Sequence, residues 1–557
     1  MKKAWLESYP PGVPETIDAD SYPSVVHLLE SVFSEFASRP AFSNLGKTLS
    51  YQELESLSGQ FASWLQNGAG LQPGDRVALM MPNSLQYAVA LVAALRAGLV
   101  VVNVNPLYTP RELKHQLNDS GAKCIVIIEN FASVLEEVIA DTPVETVVLT
   151  AMGDMLPFPK SAIVNFVLRS VKKAVPAFRL PGALQFKQCL KQGDSTPFTR
   201  VPVDGEALAF LQYTGGTTGV SKGAMLTHRN IVANLLQIRS WIAPLEDESQ
   251  EIVITALPMY HVYSLVVNCL GFMQAGGHNI LISNPRDMDA FVKEMSKWPF
   301  TTISGVNTLY NGLLHHPEFA NLDFSTLKLA SGGGMAMQRA VSEKWMEVTG
   351  TPILEGYGLT EASPVVCGNP TTVTAAFSGN VGLPYPSTIV SIRDEDGTEV
   401  EIGNPGELWV SGPQVMKGYW GREEATAEVI TEDGWLRTGD IAEVDERGFI
   451  KLVDRKKDMI IVSGFNVFPN EIEDVVALCP GVLEAACIGV PDEKTGEAVK
   501  VFAVRKPGEE LEADQIRAFC KEHLTGYKVP RHIEFRDELP KTNVGKILRR
   551  ALREPQP

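Results

Sequence analysis

The stretch YTGGTTGVSKG, residues 213–223, packs four glycines and five hydroxyl side chains around a single charge, Lys222. Backbone N–H groups reach phosphate oxygens only where no Cβ intrudes, so a glycine-rich loop with one lysine is a candidate phosphate cradle. Tyr213, Thr214, Gly215, Gly216, Thr217, Thr218, Gly219 and Lys222 are therefore candidate nucleotide-binding residues. The loop is not a Walker sequence, because Ser221 precedes the lysine and Gly223 follows it. A tight turn is the plain alternative.

Three more stretches carry groups that suit a nucleotide. SGGGMAM (331–337), with Gly333 inside it, follows the apolar run LKLA at a strand end. In EGYGLTEASP (355–364), Gly356 and Gly358 flank Tyr357, an aromatic face with bare backbone on either side that suits an adenine ring. Thr360 and Glu361 follow, and a hydroxyl beside a carboxylate suits Mg²⁺ on phosphate oxygens; Thr217 and Glu361 are the candidate metal contacts. WLRTGD (435–440) ends in Asp440, whose carboxylate could accept from ribose hydroxyls. Taken singly, Glu361 could be a helix N-terminal charge and Asp440 a turn residue.

Such loops need strands to present them. DRVALMM (75–81) and KCIVII (123–128) read as buried strands, and apolar residues at 54, 57, 61, 64 and 65 lie on one face of a helix over 50–66. The alternation implies a layered α/β body with parallel strands. The run ALAFLQY before the glycine loop and a helix beginning near Thr227 predict strand–loop–helix, which would set phosphate on a helix N-terminus. Residues 380–453 are rich in strands and turns, and the charge run DRKKD (454–458) reads as a linker. After it comes an α+β pattern with Pro469 at a helix start. The expected fold is α/β: a large N-terminal domain, 1–454, of layered α/β subdomains plus a small β-barrel-like part, then a small mobile α+β domain, 455–557.

Composition narrows the partners. A net charge of −17 over 557 residues argues against a nucleic-acid binder, whose footprint would be basic. The N-terminus has no apolar segment of signal-peptide kind, and the long apolar run from Tyr87 is broken by Arg96 and Gly98. Seven scattered cysteines without a C-x-x-C pair suit free thiols in a reducing cytoplasm. One stretch stands apart. Between Met155 and Gly193 there are seven basic residues and no acidic one, interleaved with Ile163, Phe166 and Val171. This is either a solvated loop and helix or a surface for anionic lipid.

In this order the motifs resemble the adenylate-forming family of acyl-CoA synthetases, luciferases and peptide-synthetase adenylation domains. GELWVSGPQVMKGYW, DRKKDMIIVSG and PKTNVGKILRR extend the likeness over nearly the whole chain. DGWLRTGD through NEIEDVV, VNVNPLYTPRELKHQLNDSGA and ALPMYHVYSL are similar to the bacterial long-chain fatty-acid–CoA ligases of β-oxidation. The resemblance implies an ATP-, Mg²⁺- and coenzyme A-dependent activation of long-chain fatty acids through an acyl-AMP. It implies catalytic roles for Lys546, Thr360, Glu361 and His261, a hinge near Asp454 and Arg455 with Arg455 touching the adenylate, and passage of the CoA arm past Gly464. It also implies peripheral contact with anionic lipid on the inner face of the cell membrane and a homodimer. Residues 303–314, with small Gly305, are the expected wall of an acyl channel, and Leu265 stands where some long-chain enzymes carry a gating tryptophan. Alternatives are a medium-chain substrate, loading of a carrier protein, or a non-catalytic nucleotide- or lipid-binding protein.

Overall fold

Strands with continuous apolar runs must be covered on both faces, and the N-terminal part of the chain meets this with two large sheets. The computed structural model describes residues 3–214, 221–245, 247, 249–463, 465–492, 494–542 and 545–553. Arg76–Met80 lies between Val100–Asn103 and Cys124–Ile128, all parallel, within a seven-stranded sheet. The helix Tyr51–Asn67 is closed by a capping box between Ser50 and Glu53 and buries Leu54, Phe61, Trp64 and Leu65, as its periodicity predicts. It packs on Leu85–Arg96, which is buried all round and leads into Val100–Asn103. The long apolar run is thus helix then strand.

One edge of this sheet is formed by β1 (Leu208–Thr214) and β2 (Lys222–Thr227), antiparallel, with Tyr213 opposite Gly223 and Thr214 opposite Lys222. The expected helix, α1 (His228–Ile242), is present and capped by Thr227, but β2 comes first. The strand–loop–helix reading is therefore corrected: residues 215–220 join two paired strands, and the helix N-terminus lies beyond β2. The physical reason is that KGAMLT can extend the sheet, and strand pairing satisfies its backbone groups.

The second sheet has nine strands, parallel at its centre and antiparallel at its edges. Thr302–Gly305 leads to α2 (Asn307–Leu314), and next in the sheet come β3 (Leu329–Gly333) and β4 (Ile353–Gly358). Their register sets Gly333 opposite Gly356. The segment expected to be barrel-like is an open, four-stranded antiparallel sheet among the described residues, ending in β5 (Leu436–Val444) and β6 (Ile450–Arg455).

Past DRKKD the chain folds on a core of its own, with Ile460, Ile472, Val476, Val501 and Ile516 buried together. Here α3 (Pro469–Ala477) opens on its proline and packs on a five-stranded sheet. A large mixed α/β part and a small α+β part are thus both present. All seven cysteines are free and buried. Among the described residues no helix is long and apolar enough to cross a membrane.

Candidate active site

The carboxyl ends of parallel strands leave a crevice where loops can hold ligands, and the motif residues gather there. Thr214 ends β1. Beside it, the Tyr213 hydroxyl donates to Asp119 at 2.7 Å, and Asp119 also pairs with Arg422. Gly223 lets the Tyr213 ring pack closely, since a Cβ there would lie 3.1 Å from it. The Lys222 ammonium sits 5.1 Å from the centre of the Tyr419 ring. The Tyr419 hydroxyl in turn donates to the Glu361 carboxylate at 2.7 Å. One aromatic ring therefore joins the lysine of the glycine loop to the candidate metal carboxylate. Burial, then the charge of Glu361, pushes the Tyr419 phenol up. Gly215, Gly216, Thr217, Thr218 and Gly219 lie outside the described residues, and so does Gly464.

Beyond the β3–β4 register pair, the chain runs through Tyr357 and Gly358 to Thr360 and Glu361 in a short 3₁₀ turn. A Cβ on Gly358 would lie 2.2 Å from the Pro364 carbonyl, so glycine is obligatory there. The Tyr357 hydroxyl donates to Asp440 on β5. Opposite Asp440 in the β5–β6 register is Arg455, its Nε 3.5 Å from the carboxylate. Burial raises the Asp440 carboxyl, and Arg455 and Lys546 oppose that shift.

Lys546 arrives from the small unit. The Thr308 hydroxyl on α2 donates to the Gly545 carbonyl at 3.0 Å, and this contact seats the lysine over the end of β3. Lys546, His261, Tyr263, Val306 and Gly334 line a small cavity. Burial and the nearby Arg455 push the Lys546 ammonium down to about 8, against the pull of Asp440 and Glu361. Burial, helped by Lys546, lowers His261 to about 3, so its imidazole is neutral at working pH. Its Nδ1 accepts from the Tyr263 N–H at 3.3 Å, and the Tyr263 ring lies against Gly333, where a Cβ would sit 3.2 Å away.

The structure thus brings together Gly333, Tyr357, Asp440, Arg455, His261 and Lys546, with Lys222, Thr360 and Glu361 on an adjoining arm. Sequence reasoning missed Tyr419 and Asp119. The first was legible as the aromatic pair in MKGYW, whereas nothing local marks the second. The proposed channel wall is corrected in part. Tyr310 fills the space beside Gly305, where a Cβ would meet its ring at 2.8 Å, and its hydroxyl donates to the Ser331 carbonyl. Leu265 is fully buried in the core.

Residues 29–420 match the AMP-binding enzyme family, and residues 471–546 match the AMP-binding enzyme C-terminal domain. The chain is 57% identical to a long-chain-fatty-acid–CoA ligase of Yersinia pestis, over 100% of this chain and 98% of that one. It is 56% identical, with the same coverage, to a long-chain-fatty-acid–CoA ligase of Escherichia coli O6:H1. Among solved structures, ATP-bound MatB from Rhodopseudomonas palustris is 30% identical with a TM-score of 0.78, covering 95% of this chain and 98% of that one. A crevice built from both units, and a match to both family models, lead to one conclusion: the chain belongs to the AMP-binding enzyme family.

Proposed function

We propose that the protein activates long-chain fatty acids to acyl-CoA in two steps, with ATP, Mg²⁺ and coenzyme A. In the first, a carboxylate oxygen attacks the α-phosphorus of ATP, and the bond to the leaving pyrophosphate breaks to give acyl-AMP. In the second, the CoA thiolate attacks the acyl carbonyl, and AMP leaves. The observation that carries this reading is the seating of Lys546 at the end of β3, within the field of Asp440, Arg455 and Glu361.

Each residue then has a task. Tyr357 lies along the adenine, and Asp440 accepts from the ribose hydroxyls. Lys222 and the glycine loop neutralise the departing pyrophosphate. Lys546 places its ammonium between the acid and the α-phosphate, where negative charge develops in the transition state. Neutral His261 borders the acyl end without adding a competing charge. No cluster of three or more metal-ligating side chains exists among the described residues. Mg²⁺ typically takes one or two carboxylates and completes its shell with phosphates and water. Glu361, with Thr360 beside it, would hold the ion, which neutralises phosphate charge when bound.

Residues 1–454 form the adenylating domain in this reading and 455–557 the mobile one, hinged at Asp454–Arg455. Its rotation withdraws Lys546 and brings Gly464 to the pantetheine path. Closing the crevice keeps water from the acyl-AMP. The acid would be met at the inner face of the cell membrane.

The test is AMP release by the purified protein across acids of about 6 to 18 carbons, with and without CoA. Each buried methylene contributes about 0.8 kcal/mol, so a channel for long acids gives kcat/KM rising with chain length. CoA-dependent turnover that peaks with the longer acids is expected. Turnover confined to short or aromatic acids would overturn the substrate, and AMP formation independent of CoA would overturn the acceptor.

A further inference from the structure

Helices normally bury their apolar side chains and expose their polar ones. The helical run Lys160–Phe166, continued by a π-turn at Val167–Val171, does not bury its apolar side chains. Seven of its twelve residues are Ala, Ile, Val, Phe or Leu, yet none of the twelve is buried. Its polar residues do the anchoring. Asn165 accepts from the Gly153 N–H at 2.8 Å and donates to Asp154, while Arg169 forks onto Glu129.

The result is an outward apolar face. Phe158 is 85% exposed, Val171 65%, Phe166 62% and Ile163 57%. Leu45, at the tip of a neighbouring hairpin, joins them because its carbonyl accepts from Lys160. Five of the eleven exposed large apolar side chains among the described residues fall in this one patch. Lys172, Lys173 and Arg179 border it in the sequence, exposed and without an ion pair among the described residues. No acidic residue occurs from 156 to 192, in a chain whose net charge is −17.

We propose that this face docks on an anionic lipid bilayer, with Phe158, Ile163, Phe166 and Val171 entering the interface and Lys172, Lys173 and Arg179 on headgroup phosphates. Charge selects the occupant. An acidic protein is repelled by an anionic surface unless one face is locally basic, and the lysines supply that locally. A second copy of the chain would bring the same lysines against each other across a two-fold axis. The proposal rests on the long-chain reading only for why the acid is met at a membrane.

The experiment is co-sedimentation of the full chain with phosphatidylcholine vesicles, alone or with about a third phosphatidylglycerol, at low and high salt. Phe158→Ser/Phe166→Ser and Lys172→Glu/Lys173→Glu are compared with the wild type. Wild-type protein binds the anionic vesicles, and salt weakens the binding. Each variant loses at least about tenfold in vesicle affinity while melting with the wild type and turning over albumin-carried acid at the wild-type rate. Variants that bind as the wild type does would overturn the proposal, as would a wild type that ignores anionic vesicles. A wild-type dimer that the variants dissolve, with no vesicle binding, would assign the face to a second copy instead. If no protein releases AMP with any acid, the enzymatic reading fails while the vesicle result still decides the docking face.

Discussion

Glu355 shows how much a single residue can hide in a sequence. It opens the EGYG motif, two positions before Tyr357, and there it reads as an ordinary surface-capable carboxylate. In the fold it is 8% exposed, and its best side-chain partners are distant: the Met337 N–H at 3.4 Å and the Ser378 hydroxyl at 3.5 Å. Burial, reinforced by Asp474, pushes its carboxyl up to about 8. The folded state therefore holds a proton that the unfolded chain releases near its ordinary value. Between those two values the native state binds more protons, so stability falls as pH rises through the window from about 4.5 to 8. Glu355→Gln removes the titration and keeps the shape. Its melting temperature is expected to exceed the wild type's at pH 9, by on the order of 2–4 kcal/mol in stability, and to converge with it near pH 4. Calorimetry across that range checks it; parallel curves would show that Glu355 is ionised in the fold. Tyr419 could be noticed in MKGYW, but what it and Asp119 do was hidden for a related reason. Their importance comes from partners 58 and 94 residues away.

Elements were legible where periodicity and caps spoke together. The helix Tyr51–Asn67 and the strands Arg76–Met80 and Cys124–Ile128 fall where their apolar patterns put them. β2 was not legible, because KGAMLT has no clean alternation and becomes a strand only by pairing with β1. The end of β3 is a third kind of case. SGGGMAM stood out as glycine-rich, and the structure gives the glycines different reasons. Gly333 yields space to Tyr263, whereas Gly334 has φ +80° and would place a Cβ 3.0 Å from Cε of Lys546. Alanine at 334 would thus strain the turn and push the lysine off its seat. Gly334→Ala is expected to slow acyl-AMP formation by about tenfold or more while changing ATP binding little, about 1.4 kcal/mol at the transition state. Pyrophosphate exchange beside nucleotide titration separates the two, and equal losses in both would place Gly334 in ATP binding instead.

At the scale of the molecule, the posture of Lys546 is tied to the segment around Asp454 that the proposed function makes the hinge. Arg549, three residues after the lysine, reaches Asp454 at 3.0 Å and Glu473 on α3 at 2.7 Å. Asp454 is 3% exposed at the end of β6 and also accepts from the Asn470 N–H at 2.8 Å. The segment carrying Lys546 is thus tied to the linker that would have to turn. None of this was readable locally, where Lys546 in a run ending KILRR is a plain surface cation. It follows only from two units folding separately and meeting at one crevice. If the small unit must leave that posture before CoA enters, Lys546 serves the first half-reaction alone. Lys546→Ala is expected to reduce acyl-AMP formation about 10³-fold or more, some 4 kcal/mol at the transition state, with ATP affinity within a few-fold of wild type. Given preformed acyl-AMP and CoA, the same variant is expected to make acyl-CoA at close to the wild-type rate. Measuring both half-reactions on one preparation decides the matter. A variant equally slow in both would mean that Lys546 stays in place throughout, and that the small unit does not exchange one face for another.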